Sequence, residues 1–150
     1  MNEEPSFELA EITAFTGSAS WRLKGRHLRF RGKRGDGSSL PPVQPIPVSN
    51  EQLRRFENSL QFLDVWSWKP EYDPIECGYA VCDGMSWSFN AKFAERKCAS
   101  KGTNAYPSLA AVDEVTLEAE RYAFLVFAFR YSFGITEDNL PGSRDWEFKA

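Results

Sequence analysis

From Ser86 to Phe93 the chain alternates without interruption: Trp87, Phe89, Ala91 and Phe93 are apolar, and Ser86, Ser88, Asn90 and Lys92 between them are polar. A period of two suits a β-strand with one face buried and the other in water; a helix, with 3.6 residues per turn, cannot sort such a pattern. A half-buried sheet is therefore part of whatever this chain becomes, and other elements must cover its aromatic face. The Asp83-Gly84 dipeptide just upstream predicts a type I′ hairpin turn, which sets Ala80 opposite Trp87 and Cys82 opposite Met85. Downstream, Ala94–Gly102 reads as a turn and a short return strand.

A second sheet signal lies near the N-terminus. Ser6–Phe15 is rich in strand formers and stops at Gly17. In the next segment the apolar parity changes at Gly25, because Trp21 and Leu23 are odd whereas Leu28 and Phe30 are even. A hairpin with the loop Lys24-Gly25-Arg26-His27 restores one face, with Leu23 opposite Leu28 and Trp21 opposite Phe30; a single bulged strand is the alternative. In the hairpin register Arg22 faces Arg29 and Ser20 faces Arg31, all outward.

Residues 35–48 form a Gly- and Pro-rich crossover, with four prolines in seven positions, and read as extended chain outside the core. Ser49 with Gln52 makes a capping box, and Leu53, Phe56, Leu60 and Leu63 follow at helical spacing. Val65–Glu76 is a loop enforced by Pro70 and Pro74, with Trp66, Trp68 and Tyr72 as anchors. Residues 117–133 read as a second, largely buried helix starting near Asp113 and Glu114, although the Phe, Tyr and Val content also suits a strand. Residues 135–150 form a polar tail in which Trp146 and Phe148 could dock as an edge strand. The expected fold is α+β in the order β-β-β-α-β-β-β-α: an antiparallel sheet of hairpins with two helices packed on one face. One domain, 1–150, is the expectation for this length.

The order Trp66-x-Trp68, Tyr72, Asp83-Gly84-x-x-Trp87 and Gly102-x-Asn104-Ala105-Tyr106-Pro107 resembles a group of uncharacterised small bacterial proteins that share this core. The resemblance covers about Trp66 to Pro107 and implies no activity. Physical chemistry accounts for much of the corner it ends on: Gly102 can take positive φ, Asn104 can bond neighbouring backbone groups, and Pro107 biases Tyr106 toward extended backbone. The corner reads chiefly as a clasp, with Asn104 and Tyr106 as candidate ligand contacts, since rigid loops also carry sites.

Charge and composition narrow the chemistry. The chain is 42% hydrophobic and 15% aromatic, which excludes disorder throughout, and its net charge of −3 gives no global attraction to nucleic acid or acidic membranes. Yet Trp21–Arg34 holds seven of the eighteen Lys/Arg and no acid. Like charges directly across a ladder repel, so the pair Arg22/Arg29 and its neighbour Arg31 call for an offset. Solvent, the chain's own acids or edge protection would supply it, as would an anionic partner. Arg22, Arg29 and Arg31 are accordingly the candidate binding residues, with an acidic protein surface favoured over nucleic acid as partner. One histidine, His27, and three cysteines give poor material for a metal site or a Cys–His nucleophile, and no GxSxG, Walker A or GxGxxG occurs. No cofactor is expected, and the leading reading is a non-catalytic binding module. A hydrolase or transferase using paired carboxylates near the corner is the alternative. The acidic N-terminus lacks signal-peptide character, the apolar run Tyr122–Phe133 is too short to span a bilayer, and an odd cysteine count suits reduced thiols. These point to the cytoplasm and away from a membrane.

Overall fold

The alternation at Ser86–Phe93 does form a strand, but one of its two neighbours comes from far away in the chain. The computed structural model describes residues 4–13, 17–77 and 85–136. Strand β1 (Ser6–Thr13) is followed by the hairpin β2 (Gly17–Lys24) and β3 (His27–Lys33), then by the two-residue strands β4 (Ile46–Pro47) and β5 (Glu71–Tyr72), and by β6 (Met85–Phe93) and β7 (Arg96–Thr103). All seven join one sheet in the order β4-β3-β2-β1-β6-β7-β5, antiparallel except for the β5–β7 pair. A separate small ladder joins β8 (Tyr106–Pro107) to β9 (Val115–Thr116). With helices α1 (Asn50–Phe62) and α2 (Glu120–Phe133) the architecture is α+β.

Both edges of β6 are taken, so Trp87 lies opposite Glu11 of β1 and Gly102 of β7. The turn expected at Asp83-Gly84, with Ala80 and Cys82, lies outside the described residues, as do Trp146 and Phe148. The β2–β3 register is the expected one: Leu23 pairs with Leu28, Trp21 with Phe30, Arg22 with Arg29 and Ser20 with Arg31. Its loop is shorter than expected, because Lys24 also pairs with His27 and leaves Gly25 and Arg26 as the turn. Gly25 sits at φ 62, where a side chain would be strained.

The crossover at 35–48 requires a correction. It does contribute to the core: Leu40 and Val48 are buried, and Ile46–Pro47 adds to the sheet edge as β4. Proline is tolerated there because an edge strand has one side without ladder bonds. Between its anchors, the Leu40 N–H to Gly32 carbonyl bond and the Ile46–Leu28 pair, the five residues 41–45 face only 29–31 of β3. The segment must therefore arch away from the strand.

Helix α1 carries the capping box: the Gln52 N–H donates to Ser49 Oγ (3.1 Å), and the Ser49 N–H donates to Gln52 Oε1 (2.9 Å). Its Phe56 ring meets Phe7 of β1, Phe89 and Phe93 of β6, and Phe129 and Phe133 of α2. Phe129 in turn meets Phe7 and Trp21. α2 is a helix because Tyr122, Leu125, Val126, Phe129 and Phe133, all buried, recur at helical spacing. It begins at Glu120, so Asp113 and Glu114 are exposed turn residues before β9 and not its first turn. Nor is it largely buried on all sides, since Phe124, Phe127 and Tyr131 stand at the surface beside Phe62 of α1. Ile135, at the start of the expected polar tail, is buried.

Candidate functional site

Strand pairing decides which charges become neighbours. Arg22 stands in a cross-strand row between Glu8 of β1 and Arg29 of β3, and in the next row Ser20 stands between Ala10 and Arg31. Their row partners on the other face, Phe7, Leu9, Trp21, Leu23 and Leu28, are buried, whereas Arg22, Arg29 and Arg31 are all exposed. Ion pairs link Arg26 to Glu4, Arg55 to Glu51 and Arg96 to Glu57; among the described residues none of the three hairpin arginines joins one. Glu8 is thus the one acid placed beside a cross-strand pair of like charges.

The same face continues beyond the hairpin. Lys92 of β6 and Lys97 and Lys101 of β7 share its parity, as does Lys33 of β3, with Ser18, Ser20, Ser86 and Ser88 between them. Glu8 and Glu71 are its acids among the described strand residues. The lysines of β6 and β7 were missed as site residues because only the sheet order brings them beside the hairpin; their four-residue spacing, Lys97 to Lys101, was the available signal. Where the proline-rich segment arches off β3 it leaves a groove of about 850 Å3, floored by the three arginines and walled by Pro42, Val43 and Pro45.

The corner is built differently. Asn104 takes φ 51, its backbone N–H donates to the Met85 carbonyl (2.9 Å), and its Oδ1 accepts from the Met85 N–H (3.0 Å). One residue thereby closes the end of the β6–β7 ladder twice. The Trp87 indole donates to the Ala105 carbonyl (2.9 Å) directly over Gly102, and a Cβ at position 102 would lie 2.3 Å from that carbonyl oxygen. Tyr106 is buried and stacks on Trp87, with ring centroids 6.3 Å apart, and it also meets Tyr122. Of the five candidate residues, the structure brings Arg22, Arg29 and Arg31 together; Asn104 and Tyr106 lie beyond the end of β7, with β1 and β6 between the hairpin and them.

One functional-looking group went unnoticed in the sequence. Glu11 occupies a core-facing position of central strand β1, between Ala19 and Trp87, and is only 5% exposed. The Tyr122 hydroxyl donates to its Oε2 at 3.0 Å. Burial pushes its carboxyl up to about 8, against the downward pull of that bond, so the acid is protonated at neutral pH. The same parity that buries Phe7 and Leu9 was the signal. Glu11 is the single buried acid among the described residues, where no three His, Cys, Asp or Glu gather as a metal set. Burial likewise raises the Cys98 thiol to about 12, leaving it protonated and inert as a nucleophile.

No protein-family model, curated protein or solved structure matches this chain. Among the described residues, no helix is long and apolar enough to cross a membrane. The surface geometry is what remains to assign a role, and its most pronounced chemical feature is the basic sheet face.

Proposed function

We propose that this protein is a binding module, without catalysis of its own, that engages an anionic partner through Arg22, Arg29 and Arg31 on the β2–β3 hairpin, an acidic protein surface being the partner that fits best. The observation that carries this reading is the exposed pair Arg22/Arg29, two like charges directly across a ladder with no ion pair of their own among the described residues. Such a pair costs stability of roughly 0.2–1 kcal/mol. An anion bound between the two guanidinium groups would turn that cost into affinity, because arginine forks donate two parallel hydrogen bonds to a carboxylate. A cytoplasmic setting suits the reduced thiol. Chain length supports a single domain, and the ring contacts of Phe56 and Phe129 with Phe7 support both helices covering the face opposite the arginines. Paired-carboxylate chemistry at the corner has less support, since among the described residues Glu11 is the single buried acid.

Two measurements bear on this. In affinity capture, Arg22→Glu/Arg29→Glu is expected to lose the partner that the natural protein retains, with far-UV circular dichroism confirming that the variant is folded. Binding should weaken as salt is raised, and capture that ignores ionic strength would remove the hairpin from the account. Separately, Arg29→Thr is expected to raise the thermal midpoint by about 1–3 °C at low salt, less at high salt, because it relieves the repulsion and places a good strand former on the edge side. A lower midpoint for Arg29→Thr at low salt would show that the two arginines are compensated within the protein.

A further inference from the structure

We propose that the anionic partner is an extended acidic peptide with apolar side chains at alternate positions, lying in the groove between the hairpin and the arched proline segment. This rests on the anion-binding reading above and specifies the ligand class.

The floor supplies the first argument. Arg29 and Arg31 are two residues apart on one face of β3, a repeat of about 7 Å, and Arg22 lies directly across from Arg29. An extended peptide repeats its own same-side residues at that interval, so two successive same-side acids meet the two rows, one at the Arg22/Arg29 pair and the next at Arg31. Of the four cations that line the groove, Lys24 and three arginines, the arginines carry planar forks that bind a carboxylate in two parallel bonds, and they outnumber the one acid there, Glu8.

The wall supplies the second. Pro42, Val43 and Pro45 present apolar surface to the groove, and Phe30, half-buried against Trp21 with ring centroids 5.0 Å apart, lies at its edge. The two prolines have no N–H with which to bond back to β3, and the five-against-three residue count holds the segment away from the strand. A purely polar anion would leave this wall in contact with water. A peptide that turns apolar residues toward it would bury that surface while its acids face the guanidinium groups.

A single-stranded nucleic acid fits less well. Its bases need flat aromatic faces to stack on; the outward positions of the described sheet residues hold only His27, at the turn end of the hairpin, and the Phe30 ring at the groove is already packed against Trp21.

Fluorescence anisotropy on the full-length protein tests the proposal with labelled probes of matched length: a peptide alternating Glu and Val, one alternating Glu and Ser, and an oligothymidylate. The Glu/Val peptide should bind the natural protein, weaken about tenfold or more with Arg29→Glu/Arg31→Glu, and weaken severalfold with Val43→Ser. Lys97→Glu/Lys101→Glu, on the far side of the same face, should change binding little. The Glu/Ser peptide should bind several times more weakly than Glu/Val. Should the double reversal lose its circular dichroism signal, Arg29→Thr/Arg31→Thr takes its place. Equal binding of the two peptides, or tighter arginine-dependent binding of the oligothymidylate, overturns the peptide proposal and leaves the anion-binding reading standing. No arginine-dependent binding of any probe overturns both.

Discussion

Gly102→Ala is expected to destabilise the protein by about 3 kcal/mol or more, seen as a lower urea midpoint with an unchanged slope. The added Cβ would meet the Ala105 carbonyl oxygen at 2.3 Å and the Trp87 indole nitrogen at 2.6 Å, both closer than carbon can approach. Neither neighbour is a flexible side-chain end. The carbonyl belongs to the backbone that turns into β8, and the indole is wedged among Trp68, Tyr72, Tyr106 and Tyr122. Relief would come only by opening the buried Trp87–Ala105 hydrogen bond, which leaves a donor and an acceptor unsatisfied and adds about 1–3 kcal/mol. Gly32→Ala makes a useful contrast, since the atoms it meets most closely are the side-chain ends of Leu40 and Phe30, and its cost should be smaller. Near-natural stability for Gly102→Ala would mean that the corner is looser than its contacts indicate.

Glu11→Gln is expected to change how stability depends on pH. In the folded chain Glu11 holds its proton to about pH 8, against 4.5 for an unperturbed side chain. Between those values the folded state binds a proton that the unfolded state has released, so raising the pH through the window removes stability. The slope reaches about 1.4 kcal/mol per pH unit, the contribution being complete below the lower value and gone above the upper one. Tyr122, driven well above 10 by burial and by Glu11 itself, does not titrate in that range. Glutamine has the shape of the protonated acid and can still accept the Tyr122 hydroxyl bond. The two proteins should unfold alike near pH 5, and the variant should become the more stable by a few kcal/mol near pH 9. A stability difference that stays constant across that range would falsify the protonated buried carboxyl.

Local features were legible in the sequence where a single short stretch contained all the information. The parity break at Gly25 suited a hairpin or a bulged strand, and for the hairpin it set the register, because a one-residue slip would have turned Trp21 and Leu23 outward. Ser49 and Gln52 marked the first turn of α1 for the same reason: a capping box is complete within four residues. What could not be read was long-range. Nothing near Ser6 announces Lys92 as its partner, and the two-residue strands β4, β5, β8 and β9 are too short to show any period. The site divides along the same line. Three arginines facing outward follow from hairpin parity alone, whereas the lysines of β6 and β7 join them only once β1 lies between the two hairpins. Asn104 and Tyr106 were ambiguous for a chemical reason: a side chain that bonds backbone groups at a corner has the same composition as one that bonds a ligand. Glu11 was passed over because a charge on a strand ordinarily faces water.

Strand β1, in the middle of the finished sheet, is synthesised long before one of its two neighbours. Ser6–Thr13 can acquire Gly17–Lys24 at once, but its other edge stays bare until Met85–Phe93 has been synthesised. Throughout that interval the nascent chain displays an open ladder of backbone donors and acceptors, flanked by Phe7 and Leu9, ready to pair with any other extended chain. Truncated products ending before Met85 should therefore aggregate, and the cell's demand for chaperone protection of this protein should fall steeply once β6 has emerged.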